Sequence, residues 1–303
     1  IVTPSADAWE PEGVWLAAAV LAALLAVVGT HGSNHWMRGV RIGAVPVVGG
    51  LVLLHVGLLA DVFETLDPIL NDPWKADWDS TLDVAGVENV TVWIVPVIVA
   101  SLLVVASMVP RWPELSGVRK HASSLVAGAA ALGAIDAVVA MRLPVWGAAV
   151  VLLGAAVGLL LAHRRGLADA AGPASAVVVV AAAALAAASH DVSTIAWLAG
   201  SAILVALALV KGPVLLRRTY AAIAVLMALG GLGSLVELLA IDDAATPLAV
   251  LVGALTVLAA AGLRLREHVT RVALEGSAAL VGFVALLDHG SSSELAVRWT
   301  VAG

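Results

Sequence analysis

The sequence predicts an all-α, polytopic membrane protein of about ten transmembrane helices, and three observations carry that expectation. Hydrophobic residues make up 61% and charged residues 13% of the 303 positions, where a soluble chain carries roughly a quarter charged. Mean hydropathy is +1.03. The remaining charges are sorted by sign between alternate connections. A water-soluble globule of this composition would have too little polar surface to cover its apolar side chains, whereas a bilayer accepts apolar surface as it is.

At about 20 apolar residues per crossing, ten segments emerge: 14–30, 43–63, 90–110, 122–141, 144–162, 171–189, 192–210, 219–240, 246–263 and 271–288. None shows the strict alternation of a barrel strand, and each is too long for one. Helices are then the way to satisfy the backbone in hydrocarbon. From the third segment on, basic connections recur near 115, 164, 217 and 266. A repeated two-helix hairpin would produce that spacing, and so would helix length alone.

Arg38 and Arg41, then Arg111, Arg119 and Lys120, then Arg164 and Arg165, then Lys211, Arg217 and Arg218, then Arg264, Arg266 and Arg271 fall in every second connection. That puts 13 of the 16 Lys and Arg on one side. The positive-inside rule makes those loops cytoplasmic and the N-terminus external. The other side collects acids, from Asp7, Glu10 and Glu12 through Asp61–Glu88 to Asp191, Asp242, Asp243, Asp288 and Glu294. Trp9, Trp15, Trp74, Trp78, Trp93, Trp146 and Trp197 map to outer ends, Trp36 and Trp112 to inner ends, as expected of interfacial anchors.

One connection is long. Residues 61–89 form an outer loop by this reading, and Phe63, Leu66, Ile69 and Leu70, beside Trp74 and Trp78, suggest an interfacial helix within it that caps the outer face. The whole of 1–303 reads as one transmembrane helical domain. The opening IVTPSADAWEPEG has neither Met nor a basic n-region. The closing RWTVAG resembles the start of another apolar segment, so part of a longer protein is expected.

Ionisable groups inside a membrane segment are expensive, about 2.5–3.5 kcal/mol for Asp at a helix centre, so each requires a partner or water. Asp136 follows Gly128, Ala129 and Gly133 on one face of the fourth segment, and Glu237 follows Gly230, Gly233 and Ser234 on one face of the eighth. Small residues at such offsets mark faces where helices approach closely. Both carboxylates are therefore expected to face the bundle. With His55 in the second segment and Asp61 at its end, they are the candidates for a substrate or proton path in an outward-facing polar cavity. Arg142 is the candidate counter-charge for Asp136. Glu275 is expected to snorkel toward Arg271. The bland alternative makes each acid an interhelical hydrogen-bond partner and His55 a packing residue.

Catalytic templates are missing. The sequence has no Walker-type phosphate loop, GxGxxG, HExxH or GxSxG. It has no cysteine, which excludes disulfides, thiolate metal sites and Cys nucleophiles. His31 and His35 are four apart but straddle Gly32 and Ser33, which favours a loop. The acids Asp72, Asp77, Asp79 and Asp83 lack the spacing and glycine of an EF-hand. No cofactor, metal or nucleic-acid partner is expected. Gly154 and Gly158 form a GxxxG, a sign of close packing.

Three functions fit. The first is a transporter or translocation component. The second is a non-catalytic scaffold subunit of a larger membrane complex. The third is a transferase acting on a lipid-linked substrate at the outer face, with Asp61 or an acid among 67–83 as general base. Expected partners are the lipid bilayer and other membrane subunits or further copies of the chain. The Ala/Val/Leu-rich, Lys-poor composition suggests the cell membrane of a high-GC or salt-adapted prokaryote.

Overall fold

A computed structural model describes residues 11–31, 34–71, 74, 76–81 and 94–238. The segments expected at 246–263 and 271–288 lie outside them. Every regular element among the described residues is helical. Eight α-helices follow in order: α1 (Pro11–Val28), α2 (His35–Asn71), α3 (Ile94–Met108), α4 (Ala122–Ala140), α5 (Val145–Arg164), α6 (Ala171–Ala186), α7 (His190–Leu209) and α8 (Val214–Leu238). Three 3-10 turns, Val109–Arg111, Pro113–Leu115 and Arg119–His121, join α3 to α4.

Among the described residues, five stretches are long and apolar enough to cross a membrane: His35–Leu53, Arg119–Val138, Val145–Arg164, His190–Leu209 and Val214–Leu235. Leu16–Val28, Val95–Arg111 and Ala171–Ala186 are apolar but shorter. Large aliphatic side chains stand out from these helices, Leu53 at 70% exposure, Val150 at 62% and Leu209 at 75%. Water would penalise each by roughly 1.5–3 kcal/mol relative to burial, and hydrocarbon would not.

Two helices, α2 and α8, run well past their expected bounds, for related reasons. Residues 61–71 continue α2 without a break, where an outer loop carrying a separate interfacial helix was expected from 61. The acids Asp61, Glu64 and Asp67 do not break the backbone, since carboxylate side chains are tolerated in helices. The described helix runs to Asn71. At 37 residues and about 1.5 Å per residue, α2 is longer than a hydrocarbon core of about 30 Å is thick. Likewise α8 starts at Val214, so Arg217 and Arg218 lie within a helix. Arg217 Nε donates to Ala208 O at 2.8 Å, satisfying one of the carbonyls left open at the end of α7.

The chain forms two compact units, Ile1–Asp72 with Asp79–Ala181 and Pro73–Trp78 with Ala182–Gly303. In the first, α1 packs on α2 and α3, and α4 on α2, α3 and α5. Ala19, Ala22 and Ala26 present a small-residue stripe on α1 to Leu51 of α2 and to Ile98 and Val105 of α3, which lets the backbones approach. Ser175 Oγ donates to Ala156 O at 2.7 Å, tying α6 to α5. Ser80 O accepts from Val145 N at 3.0 Å, filling one open position at the start of α5.

The second unit is built on the α7–α8 hairpin. A Cβ on Gly230 would lie 2.6 Å from Trp197 Cζ3, and one on Gly231 2.9 Å from Leu198 Cγ. The two glycines are therefore notches that receive α7 side chains. Trp197 Nε1 donates to Ala183 O at 3.0 Å, so the ring in the notch is also fixed to α6. Gly154 and Gly158 of α5 behave differently. A Cβ on either would meet nothing within 4 Å, so the GxxxG makes no close approach among the described residues.

Candidate functional site

Asp136 lies in α4 with 2% of its surface exposed. It is placed there by a helix face that cannot be lipid-facing, because a Cβ on Gly133, one turn earlier, would lie 2.7 Å from Val99 Cγ1 of α3. Two turns earlier, at Gly128, a Cβ would meet open space. The small-residue face is thus tight near Asp136 and open toward the start of α4. Asp136 is engaged by a neighbour, as a buried carboxylate in an apolar span requires.

Arg142 closes α4. It takes a left-handed conformation, φ +47°, and Leu143 N donates to Val138 O at 3.4 Å, the six-to-one bond of a Schellman cap. The same motif ends α5, where Gly166 (φ +67°) occupies the equivalent position and Leu167 N donates to Ala162 O. Glycine is the residue this geometry favours, and an L side chain there costs about 1–2 kcal/mol. Arginine in that place, with Nη2 buried and lacking a hydrogen-bond partner among the described residues, is a departure of the kind found at functional sites. Arg142→Gly is expected to raise unfolding stability by about 1 kcal/mol, read as a higher midpoint of thermal unfolding in detergent. A lower midpoint would show that the guanidinium carries structural weight.

The second unit holds a polar cluster around the start of α7. Trp74, also left-handed at φ +65°, donates from Nε1 to Ser193 Oγ at 3.1 Å and sets its ring edge-on to His190 at 5.2 Å. The backbone N–H groups of Trp74 and Ala76 donate to Ala187 O and Ala188 O at 2.9 Å, so these two residues satisfy carbonyls beyond the end of α6. Deeper in, Thr194 Oγ1 and Ser234 Oγ are hydrogen-bonded at 2.6 Å, with Ser234 donating because the one hydroxyl hydrogen of Thr194 goes to His190 O. Ser193 and Thr194 in addition donate to His190 O. This cluster gives α7 and α8 a polar seam.

Glu237 follows Ser234 by three positions on α8, and His55 and Asp61 fall within α2. The side chains of all three lie outside the described residues. Asp77 and Asp79 are exposed, and among the described residues no group of three or more His, Asp or Glu could hold a metal. His31 is tied to its own helix end, its Nδ1 3.1 Å from Val27 O.

The sequence reading missed a cluster at the other end of the first unit. Arg41 is 4% exposed. Its Nη2 donates to Glu114 Oε1 at 2.9 Å and its Nη1 to Gly29 O at 3.1 Å. Nε forms an ion pair with Glu114 Oε2 at 2.8 Å but is off the line of a well-directed hydrogen bond. Beside it Trp112, expected as an interfacial anchor, is buried and donates from Nε1 to Ala26 O at 3.1 Å. Gly29 is the residue that admits both side chains, since a Cβ there would lie 2.6 Å from Trp112 Nε1 and 3.1 Å from Arg41 Cγ. Glu114 is held below the usual carboxylate range, first by a backbone hydrogen bond of its own residue, then by the hydrogen bond and charge of Arg41 and the charge of Arg38. Partial desolvation opposes them. One signal was available in the sequence: Glu114 is the sole acid in the basic stretch 109–121.

No family model, curated protein or solved structure matches the chain. Its function is therefore argued from its own residues.

Proposed function

We propose that the chain is a multi-pass protein of the cell membrane, with its N-terminus outside and its basic loops cytoplasmic, that serves as a transporter or translocation component. Asp136 is the path residue in this reading, with Glu237, His55 and Asp61 as further candidates and Arg142 as the nearby cation. The observation that carries it is the burial of Asp136 in a span of membrane length. A carboxylate in that position is expensive to insert and is kept where it meets an ion, a proton or a substrate. The polar seam of Ser193, Thr194 and Ser234 supplies hydroxyl groups on the same predicted outer side.

The test is reconstitution of the full chain in proteoliposomes holding a trapped pH-sensitive dye. Wild type is expected to dissipate an imposed proton or cation gradient, and Asp136→Asn to fall to the rate of empty vesicles. Equal rates for the two proteins would remove Asp136 from any path.

A scaffold role is the second reading, favoured by a separate observation. The recesses between α2, α3 and α4 and between α1 and α2 are lined almost wholly by aliphatic side chains, as in a protein that packs against lipid and other subunits. On this reading Asp136→Asn leaves the activity of a parent complex intact. The transferase reading has less behind it, because Trp74, Ala76 and Ser80 use backbone groups to fill helix ends and Asp77 and Asp79 are exposed.

A further inference from the structure

We propose that the recess between α3 and α4 is a binding site for one acyl chain of an anionic phospholipid, whose headgroup is held by Arg111, Arg119 and Lys120. The inference rests on the membrane reading above and adds a ligand to it. The recess has a volume of about 360 Å³ and is walled by side chains including Val52, Leu102, Val105, Val118, Leu125 and Leu132. Val52, Val118 and Leu125 are substantially exposed, so the recess opens sideways. Along α4 it extends from Ser124 to Leu132, about 12 Å at the helical rise. That is close to one leaflet of a hydrocarbon core about 30 Å thick. Gly128 forms part of the wall, and the absence of its side chain keeps the space open.

Charge identifies the occupant. Wall residues Pro110 and Val118 are directly followed by Arg111 and by Arg119 and Lys120. All three cations are exposed. Glu114, the acid of this stretch, is already paired with Arg41. One end of an aliphatic slot thus carries three positive charges with no ion-pair partner among the described residues, the complement of a phosphate headgroup above a lipid tail. Each such cation near a membrane surface strengthens binding of an anionic lipid about fivefold. The recess between α1 and α2, lined by Leu21, Pro46, Val47 and Leu51 among others, has almost the same volume, about 350 Å³. No cation adjoins its wall residues in sequence, so it serves as an internal comparison.

The experiment is native mass spectrometry of the purified full chain, titrated in detergent with phosphatidylglycerol or phosphatidylethanolamine, alongside flotation of the reconstituted chain with vesicles of the same lipids. Wild type should retain phosphatidylglycerol in preference to phosphatidylethanolamine. Gly128→Phe should fill the slot and lose the bound lipid. Arg119→Gln with Lys120→Gln should reduce the preference by about tenfold or more. Because those two residues are exposed, the double variant decides the matter even if Gly128→Phe does not fold. Equal retention of the two lipids by wild type, or a preference unchanged in the double variant, would overturn the site. So would a folded Gly128→Phe that keeps its lipid, or one that changes only the number of chains per particle, which would assign the slot to a second copy. A wild-type chain that fails to float with vesicles would instead overturn the membrane reading itself.

Discussion

Glu114→Ala is expected to lower the thermal midpoint more than Arg41→Met does, and more than the double variant does. Arg41 is buried and Glu114 is 42% exposed. Removing the acid takes the carboxylate away from a guanidinium that is almost wholly buried. Removing the base leaves a carboxylate that water can reach. A stranded buried charge is far more damaging than the loss of the pair as a whole, so the double variant should recover part of what Glu114→Ala loses. If the three variants rank by the number of atoms removed, the pair is only packing. The same pair predicts a pH dependence. The carboxyl of Glu114 titrates below its unfolded value near 4.5, so the folded state binds fewer protons there. Its contribution to stability is in place above the unfolded value and is lost as pH falls through the depressed folded value. Glu114→Gln should flatten that acid limb of midpoint against pH, and an unchanged limb would assign it to other carboxyls.

Gly230→Leu is expected to destabilise the α7–α8 hairpin by about 3 kcal/mol. The first added carbon already falls 2.6 Å from Trp197 Cζ3. The indole has no free retreat, because Nε1 is held by Ala183 O, so the helices must separate and strain the Thr194–Ser234 hydrogen bond. Gly154→Ala is the control. Its new carbon meets nothing within 4 Å, and glycine in a helix interior is about 1 kcal/mol worse than alanine, so that variant should gain stability. Denaturant titration in detergent, followed by tryptophan fluorescence, reads both. A Gly230→Leu midpoint at or above wild type would mean that the notch at Gly230 is not a packing contact.

Much of the helical layout was legible because lipid-length apolar runs leave the backbone one good option. The expected segments 122–141, 144–162 and 171–189 meet α4, α5 and α6 within a few residues. Helix ends set by hydrogen bonding were harder to read. The extension of α2 to Asn71 and the early start of α8 escape a reading that ends a helix at a charged residue, which need not end one. The small-residue argument fits Asp136, since Gly133 does receive a neighbour, while Gly154 and Gly158, equally small, receive none among the described residues. A glycine pattern states where an approach is allowed, and a bulky residue such as Val99 or Trp197 on the neighbouring helix decides whether it happens. The Arg41–Glu114 pair and the burial of Trp112 depend on contacts across 73 and 86 residues of chain. Reading Arg41 as a loop charge and Trp112 as an anchor hid both.

Lipid immersion of the apolar helices is most directly tested by labelling. The chain contains no cysteine, so single cysteines can be placed at will. Val157 on α5 and Val205 on α7 are 41% and 49% exposed, and Asp79 lies in an exposed turn. In intact membranes a cysteine at Asp79 should react rapidly with a water-soluble maleimide, while cysteines at Val157 and Val205 should stay unlabelled until detergent or denaturant is added. Equal rates at all three positions in intact membranes would place α5 and α7 in water, and the membrane reading would fall with them.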